Sequence, residues 1–163
     1  MRDLFAAVAA LVLLATAASL ATTLQAYRRR WLRARDSERA LGRTIIAEIP
    51  AGDDLTLFSE DAPRFYYGEQ SIDKDGIAAV RVLINGAPIA AYVSVGAALH
   101  ARAEPTRIED RPEGIARDHW DVAVETIAGT TIVACGAIRE RVSQELARAV
   151  FDAVKRDLER RDA

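Results

Sequence analysis

The sequence predicts a single N-terminal transmembrane helix followed by an antiparallel β-sandwich or partly open barrel. That barrel has about seven strands and is closed by a C-terminal amphipathic helix. Three observations carry this expectation. Leu4 to Ala26 holds no charge and is followed at once by clustered arginines. Short alternating apolar segments separated by turn signals run from Thr44 to Gly136. An apolar residue then recurs every fourth position from Val142 to Leu158. The expected segments are a span at 4–26, a basic juxtamembrane helix or linker at 27–43, and a cytoplasmic domain at 44–160.

The first run, as a helix, would reach about 34 Å, enough for a hydrocarbon core of roughly 30 Å. Arg28, Arg29, Arg30, Arg33 and Arg35 mark the end expected to stay in the cytoplasm. Tyr27 and Trp31 suit an interfacial belt of amphipathic rings, so these seven residues form the candidate membrane-interface cluster. The expected location is the bacterial inner membrane, single-pass, with the N-terminus outside and lipid as partner of the basic flank. Ala15, Ser19 and Thr23 recur every four residues and offer a face for another helix. Cleavage as a signal peptide is the rival reading, but cutting after Ala21 would leave three arginines within the first ten mature residues.

Composition excludes several function classes. Six of the 22 basic residues lie at or before Arg35, which leaves 16 against 23 acidic residues beyond it. Such a domain repels phosphate backbones, so no nucleic acid partner is expected. Cys135 is the only cysteine, which rules out an intrachain disulfide or a cysteine zinc site. Lys74 and Lys155 are the only lysines.

Asp36–Gly42 can continue the first helix until Gly42 ends it. Strands are expected at Thr44–Ile49, Leu55–Phe58 and Phe65–Tyr67. Ile77–Ile84 and Ala87–Val95 flank Asn85-Gly86, the strongest short hairpin signal. Gly96–Asp118 is irregular and charged, with Pro105, Pro112 and Gly114. Trp120–Ile127 alternates cleanly, and Ala128-Gly129 turns into Thr130–Gly136. The closing helix should bury Val142, Leu146, Val150, Val154 and Leu158, with Ala147 and Phe151 widening the stripe. Ser143 is its expected N-cap, and Arg148/Asp152 and Asp152/Arg156 its expected outer ion pairs.

The run Phe65-Tyr66-Tyr67-Gly68-Glu69-Gln70-Ser71-Ile72-Asp73-Lys74-Asp75-Gly76-Ile77-Ala78-Ala79-Val80-Arg81-Val82 resembles the middle of bacterial pleckstrin-homology-like domains. In that family a strand, an isolated apolar residue and an I-x-x-V-x-V strand follow in this order. The hairpin ending at Gly136 and the helix after it match the family's ending. The Gly96–Asp118 insertion departs from its usual short connection. Classical members hold inositol phosphates with basic residues near the first hairpin, where this chain has the acidic Pro50-Ala51-Gly52-Asp53-Asp54. The phosphoinositide role is therefore not carried over.

No catalytic motif is legible. His100 and His119 lie in no ligand spacing with each other or with Cys135. His119 and Asp121 share a strand face but lack a nucleophile. Cys135 reads as a small buried side chain. The pairs Asp53-Asp54 and Glu60-Asp61 read as solvated turns without calcium. No metal and no cofactor are expected. The expected function is a non-enzymatic, membrane-anchored binding or scaffold module that docks a protein partner or a second copy of itself. Its candidate partner-binding loop contains Arg102, Arg107, Glu109, Asp110 and Arg111. The alternatives are an accessory subunit of a larger membrane complex and an exported periplasmic ligand-binding domain.

Overall fold

The computed structural model describes residues 2–51, 54–98, 119–137 and 139–163. The chain forms two compact units, 1–41 and 42–163. The first is one helix, α1 (Arg2–Ala40), 39 residues long. It stops before Gly42, whose φ of +75° is the left-handed geometry that ends helices.

The expected span over 4–26 is corrected here. Among the described residues no helix is long and apolar enough to cross a membrane. A span needs about 20 consecutive, predominantly apolar residues. The uncharged run Leu4–Tyr27 is not uniformly apolar and includes Thr16, Ser19, Thr22, Thr23 and Gln25. The hydroxyls of Thr16, Thr22 and Thr23 donate back to carbonyls one turn earlier. Arg28, Arg29 and Arg30 then close the run. The single-pass topology and the inner-membrane placement rested on that span and are corrected with it.

Among the described residues the second unit holds eight strands rather than about seven, in two antiparallel four-stranded sheets. The first sheet is a meander of β1 (Thr44–Ala51), β2 (Asp54–Glu60), β3 (Arg64–Tyr67) and β4 (Gln70–Asp73). Strand β4 is the one the sequence hides. Its four residues include a single apolar side chain, Ile72, which is buried opposite Phe65. A 3-10 turn at Lys74–Gly76 leads into the second sheet. That sheet contains β5 (Ile77–Ile84), β6 (Ala87–Val93), β7 (His119–Thr126) and β8 (Gly129–Ala137), in the order β6-β5-β7-β8. Asn85 and Gly86 both take positive φ, 52° and 79°, as a two-residue hairpin of matching twist requires. A one-turn helix, α2 (Val95–Ala98), follows β6. Strands β5, β7 and β8 thus form a meander, and β6 lies outside it on the open edge of β5.

The inner faces meet in one core. Ile49, Phe58 and Phe65 from the first sheet and Val80, Val122, Val124 and Val133 from the second are fully buried. Phe58 and Phe65 stack with centroids 5.6 Å apart. Helix α3 (Arg141–Asp162) covers this core with Ala147, Val150, Val154 and Leu158. It packs against β1 and against β5, β7 and β8.

Three expectations about α3 are corrected. The helix starts at Arg141 with Glu140 as N-cap, whose side chain caps no backbone N–H. Ser143 is buried against Gly136 instead, where a Cβ would stand 2.6 Å from the Ser143 Oγ. Val142 is 61% exposed. A four-residue repeat drifts about 40° per step on a helix of 3.6 residues per turn, so the first position leaves the face that the last ones occupy. The ion pairs also differ. The helix joins Arg141 to Glu145, Lys155 to Glu159, and Arg160 and Arg161 to Asp157.

The end of α3 is held by its own charges. Asp162 accepts bonds from Ser94 Oγ, Tyr92 Oη and the Val95 N–H. These donors, Ser94 foremost, hold its carboxyl below the ordinary value of 3.8. Arg161 donates to the Ile77 carbonyl.

Two outcomes are expected. Leu158→Ala should cost about 2–5 kcal/mol in urea unfolding, since a fully buried leucine leaves a cavity, whereas the half-buried Leu146→Ala should cost less. A carboxylate with a lowered pKa contributes stability above its unfolded pKa, and that stability is lost as pH falls through the folded value. Asp162→Asn should therefore be less stable than the parent at pH 7, and the difference should vanish below the ordinary 3.8.

Candidate binding cleft between an edge strand and the closing helix

Strand β6 reads Ala-Pro-Ile-Ala-Ala-Tyr-Val and carries no charge. Among the described residues it pairs only with β5. Residues 87–91 are all exposed, and Ile89 keeps 54% of its surface in solvent. Native edge strands are usually protected by charges, bulges or a covering element. Among the described residues, Pro88 and the register shift opposite Val82/Leu83 are such devices.

Between β6 and the first half of α3 lies a cleft of about 240 Å³. Val82 and Ala90 form its floor, Ile89 its outer lip, and Ala147 and Phe151 its helical wall. The small Ala90 leaves the space open. Trp120 also lines it; its Nε1–H is buried away from solvent with no hydrogen-bond partner. Along the rim stand Gln144, Arg148 and Asp152. The expected Arg148/Asp152 and Asp152/Arg156 pairs do not form, and among the described residues Arg148 and Asp152 have no ionic partner.

A second hollow of about 590 Å³ lies between β4 and the β7–β8 turn. It is larger but lined mostly by Gln70, Ser71, Asp73 and turn threonines, and no orphaned group faces it. A third lies on α1 among Thr22, Gln25, Ala26, Arg29, Arg30 and Arg33 and has one helix as its only wall.

The titratable side chains around β7 and β8 are not activated. Burial, with the Asp121 charge nearby, pushes the Cys135 thiol up to about 12. Burial also raises Asp121 against the opposing effect of His119, and raises Tyr67. Cys135 contacts the Val133 carbonyl at 3.5 Å and has no surface in solvent. A thiol in this setting supplies no thiolate at neutral pH, so His119 and Asp121 find no nucleophile there. Among the described residues no group of three or more His, Cys, Asp or Glu side chains could hold a metal.

The remaining candidates fall as follows. Arg28, Arg29, Arg30 and Arg33 lie along α1, Tyr27 and Trp31 are 43% and 38% exposed, and Arg35 sits 5.3 Å over the Trp31 ring. Their reading as a membrane-interface cluster depended on the span. Arg102, Arg107, Glu109, Asp110 and Arg111 lie outside the described residues, as do His100 and Asp53. Phe65 is buried in the core rather than part of a surface patch. The acidic pair Glu60-Asp61 is not merely solvated. Glu60 pairs with the buried Lys74, and Asp61 accepts from Tyr66 Oη and the Arg64 N–H. Sequence reasoning passed over the cleft because its walls come from separate elements and because Arg148 and Asp152 were paired with each other.

Alkylation by iodoacetamide should be slow at Cys135 in the folded chain at neutral pH and fast after unfolding in urea; equal rates would show that the thiol is accessible. No family model matches the chain, and neither a curated protein nor a solved structure matches it significantly.

Proposed function

We propose that residues 42–163 form a non-enzymatic binding module, of pleckstrin-homology-like type, that captures a protein partner in the cleft between β6 and α3. The observation that carries this reading is the open cleft of about 240 Å³, with apolar walls from Val82, Ile89, Ala90, Ala147 and Phe151 and with Arg148 and Asp152 without an ionic partner at its rim among the described residues. The order of elements supports the family likeness: a four-stranded meander, the β5-β7-β8 meander and a closing helix. The hairpin arm β6 and the segment after it are the departure from that order, and the cleft lies against this arm. The untouched Cys135 and the unpartnered His119–Asp121 pair give no support to catalysis.

Random-peptide display against the full chain tests the proposal. Peptides should be enriched, and in a Trp31→Phe background they should shift the emission of Trp120, then the only tryptophan. Ala90→Leu, which fills the cleft floor, should abolish both while the chain stays folded. Enrichment that survives Ala90→Leu would place binding elsewhere, and no enrichment would remove the proposal.

A further inference from the structure

We propose that α1 is a self-association element. Two copies of the chain pair through this helix as an antiparallel two-stranded coiled coil, with Leu13 of one copy against Trp31 of the other. This surface lies in the first unit and does not depend on the cleft.

The pattern comes first. Leu13, Ala17, Leu20, Leu24, Tyr27 and Trp31 follow one another at intervals of four, three, four, three and four residues. That alternation is the seam of a coiled coil, whose apolar positions recur every 3.5 residues on average. On one continuous helix it lines up all six side chains in a stripe about 27 Å long. The five large ones are between 38% and 69% exposed. A row of large apolar side chains in water is stabilised when a matching row covers it. The arginines take the other sides of the helix. Arg29 and Arg33 lie opposite the stripe, and Arg28 and Arg30 flank it.

Charge decides between the two directions of pairing. Arg28, Arg29, Arg30, Arg33 and Arg35 all fall between positions 28 and 35. In a parallel pair both clusters stand at one level, and Arg30 meets Arg35 of the second copy across the seam. In an antiparallel pair they lie about 27 Å apart along the axis, well beyond the roughly 8 Å over which charges act at physiological salt. The seam also matches its own reverse. Leu13 faces Trp31, Ala17 leaves room for the Tyr27 ring, and Leu20 faces Leu24, each contact occurring twice about the two-fold axis. Arg28 and Arg30 then fall beside the uncharged Leu14 and Thr16 of the second copy. A stripe that is complementary to itself, with like charges separated only when the copies run in opposite directions, selects a second copy as its occupant.

The test follows the full chain by sedimentation and by disulfide cross-linking. The parent should sediment as a dimer. Leu24→Asp, which puts a charge at the centre of the seam, should sediment as a monomer with Cys135 still protected from iodoacetamide. Leu13→Cys and Trp31→Cys, each oxidised alone, should stay unlinked, because equal positions lie about 27 Å apart, far beyond the reach of a disulfide. Mixed before oxidation, the two variants should form a linked heterodimer, and the buried Cys135 does not compete. This cross-linking pattern decides by itself if Leu24→Asp unfolds the helix. Leu13→Cys linked to itself would overturn the antiparallel pairing. A dimer that survives Leu24→Asp with no linked heterodimer would place association elsewhere and overturn the proposal. So would a parent that stays monomeric, whether free in solution or bound to phosphatidylcholine vesicles, the latter result assigning the stripe to lipid instead.

Discussion

The structure depends on the docking of α3 across two sheets that are each open. Each four-stranded sheet has an apolar inner face, and the two sheets do not close on one another into a barrel. Ala147, Val150, Val154 and Leu158 fill the opening and touch strands of both sheets. A fully buried valine or leucine contributes about 1.5–3 kcal/mol, so this one face outweighs any exposed ion pair on the helix. The position of the helix is fixed at both ends. Gly136 lets Ser143 approach at the start, and Asp162 and Arg161 bond to Ser94, Val95 and Ile77 at the finish. With both ends held, the first half of α3 cannot settle further onto β6, whose inward residue there is only an alanine. The cleft follows from that constraint.

Polar groups inside the domain are placed to fasten corners. Lys74 is buried, yet its Nζ meets Glu60 Oε2 at 2.8 Å and the Asp61 carbonyl at 2.7 Å, and lies 4.6 Å from the centre of the Phe65 ring. It ties the turn after β4 to the end of β2. Tyr66 bonds Asp61, with Arg43 3.5 Å above its ring. Asp157 is buried beside Arg161 at 3.4 Å, close enough for charge attraction though not aligned for a hydrogen bond. Trp120 Nε1 is the other buried polar atom without a hydrogen-bond partner among the described residues.

The strands with clean alternation were legible from the sequence because a buried face imposes a period of two, as in Ile77–Ile84 and Trp120–Thr126. The Asn85-Gly86 hairpin was legible because only such residues accept two successive positive φ values. Strand β4 was not, since one apolar residue in four gives no period, and its pairing comes from β3. The N-cap was misplaced because Ser143 has the right chemistry for a cap, but its small size is used against Gly136. The first helix was read from an uninterrupted absence of charge, which was given more weight than the five polar side chains in its second half. Nothing local marked the cleft. It is built from β5, β6, β7 and α3, which come together only in three dimensions.

The central claim is that β6 is an edge strand, pairing only with β5 among the described residues, beside an open cleft. Residue-resolved amide hydrogen exchange of the free full-length chain tests it most directly. Ala90 and Tyr92, which bond toward β5, should exchange slowly, while Ala91 and Val93 should exchange at rates close to those of an unstructured chain. Equal protection of all four amides would contradict the account, because the edge would then already be covered in the free protein.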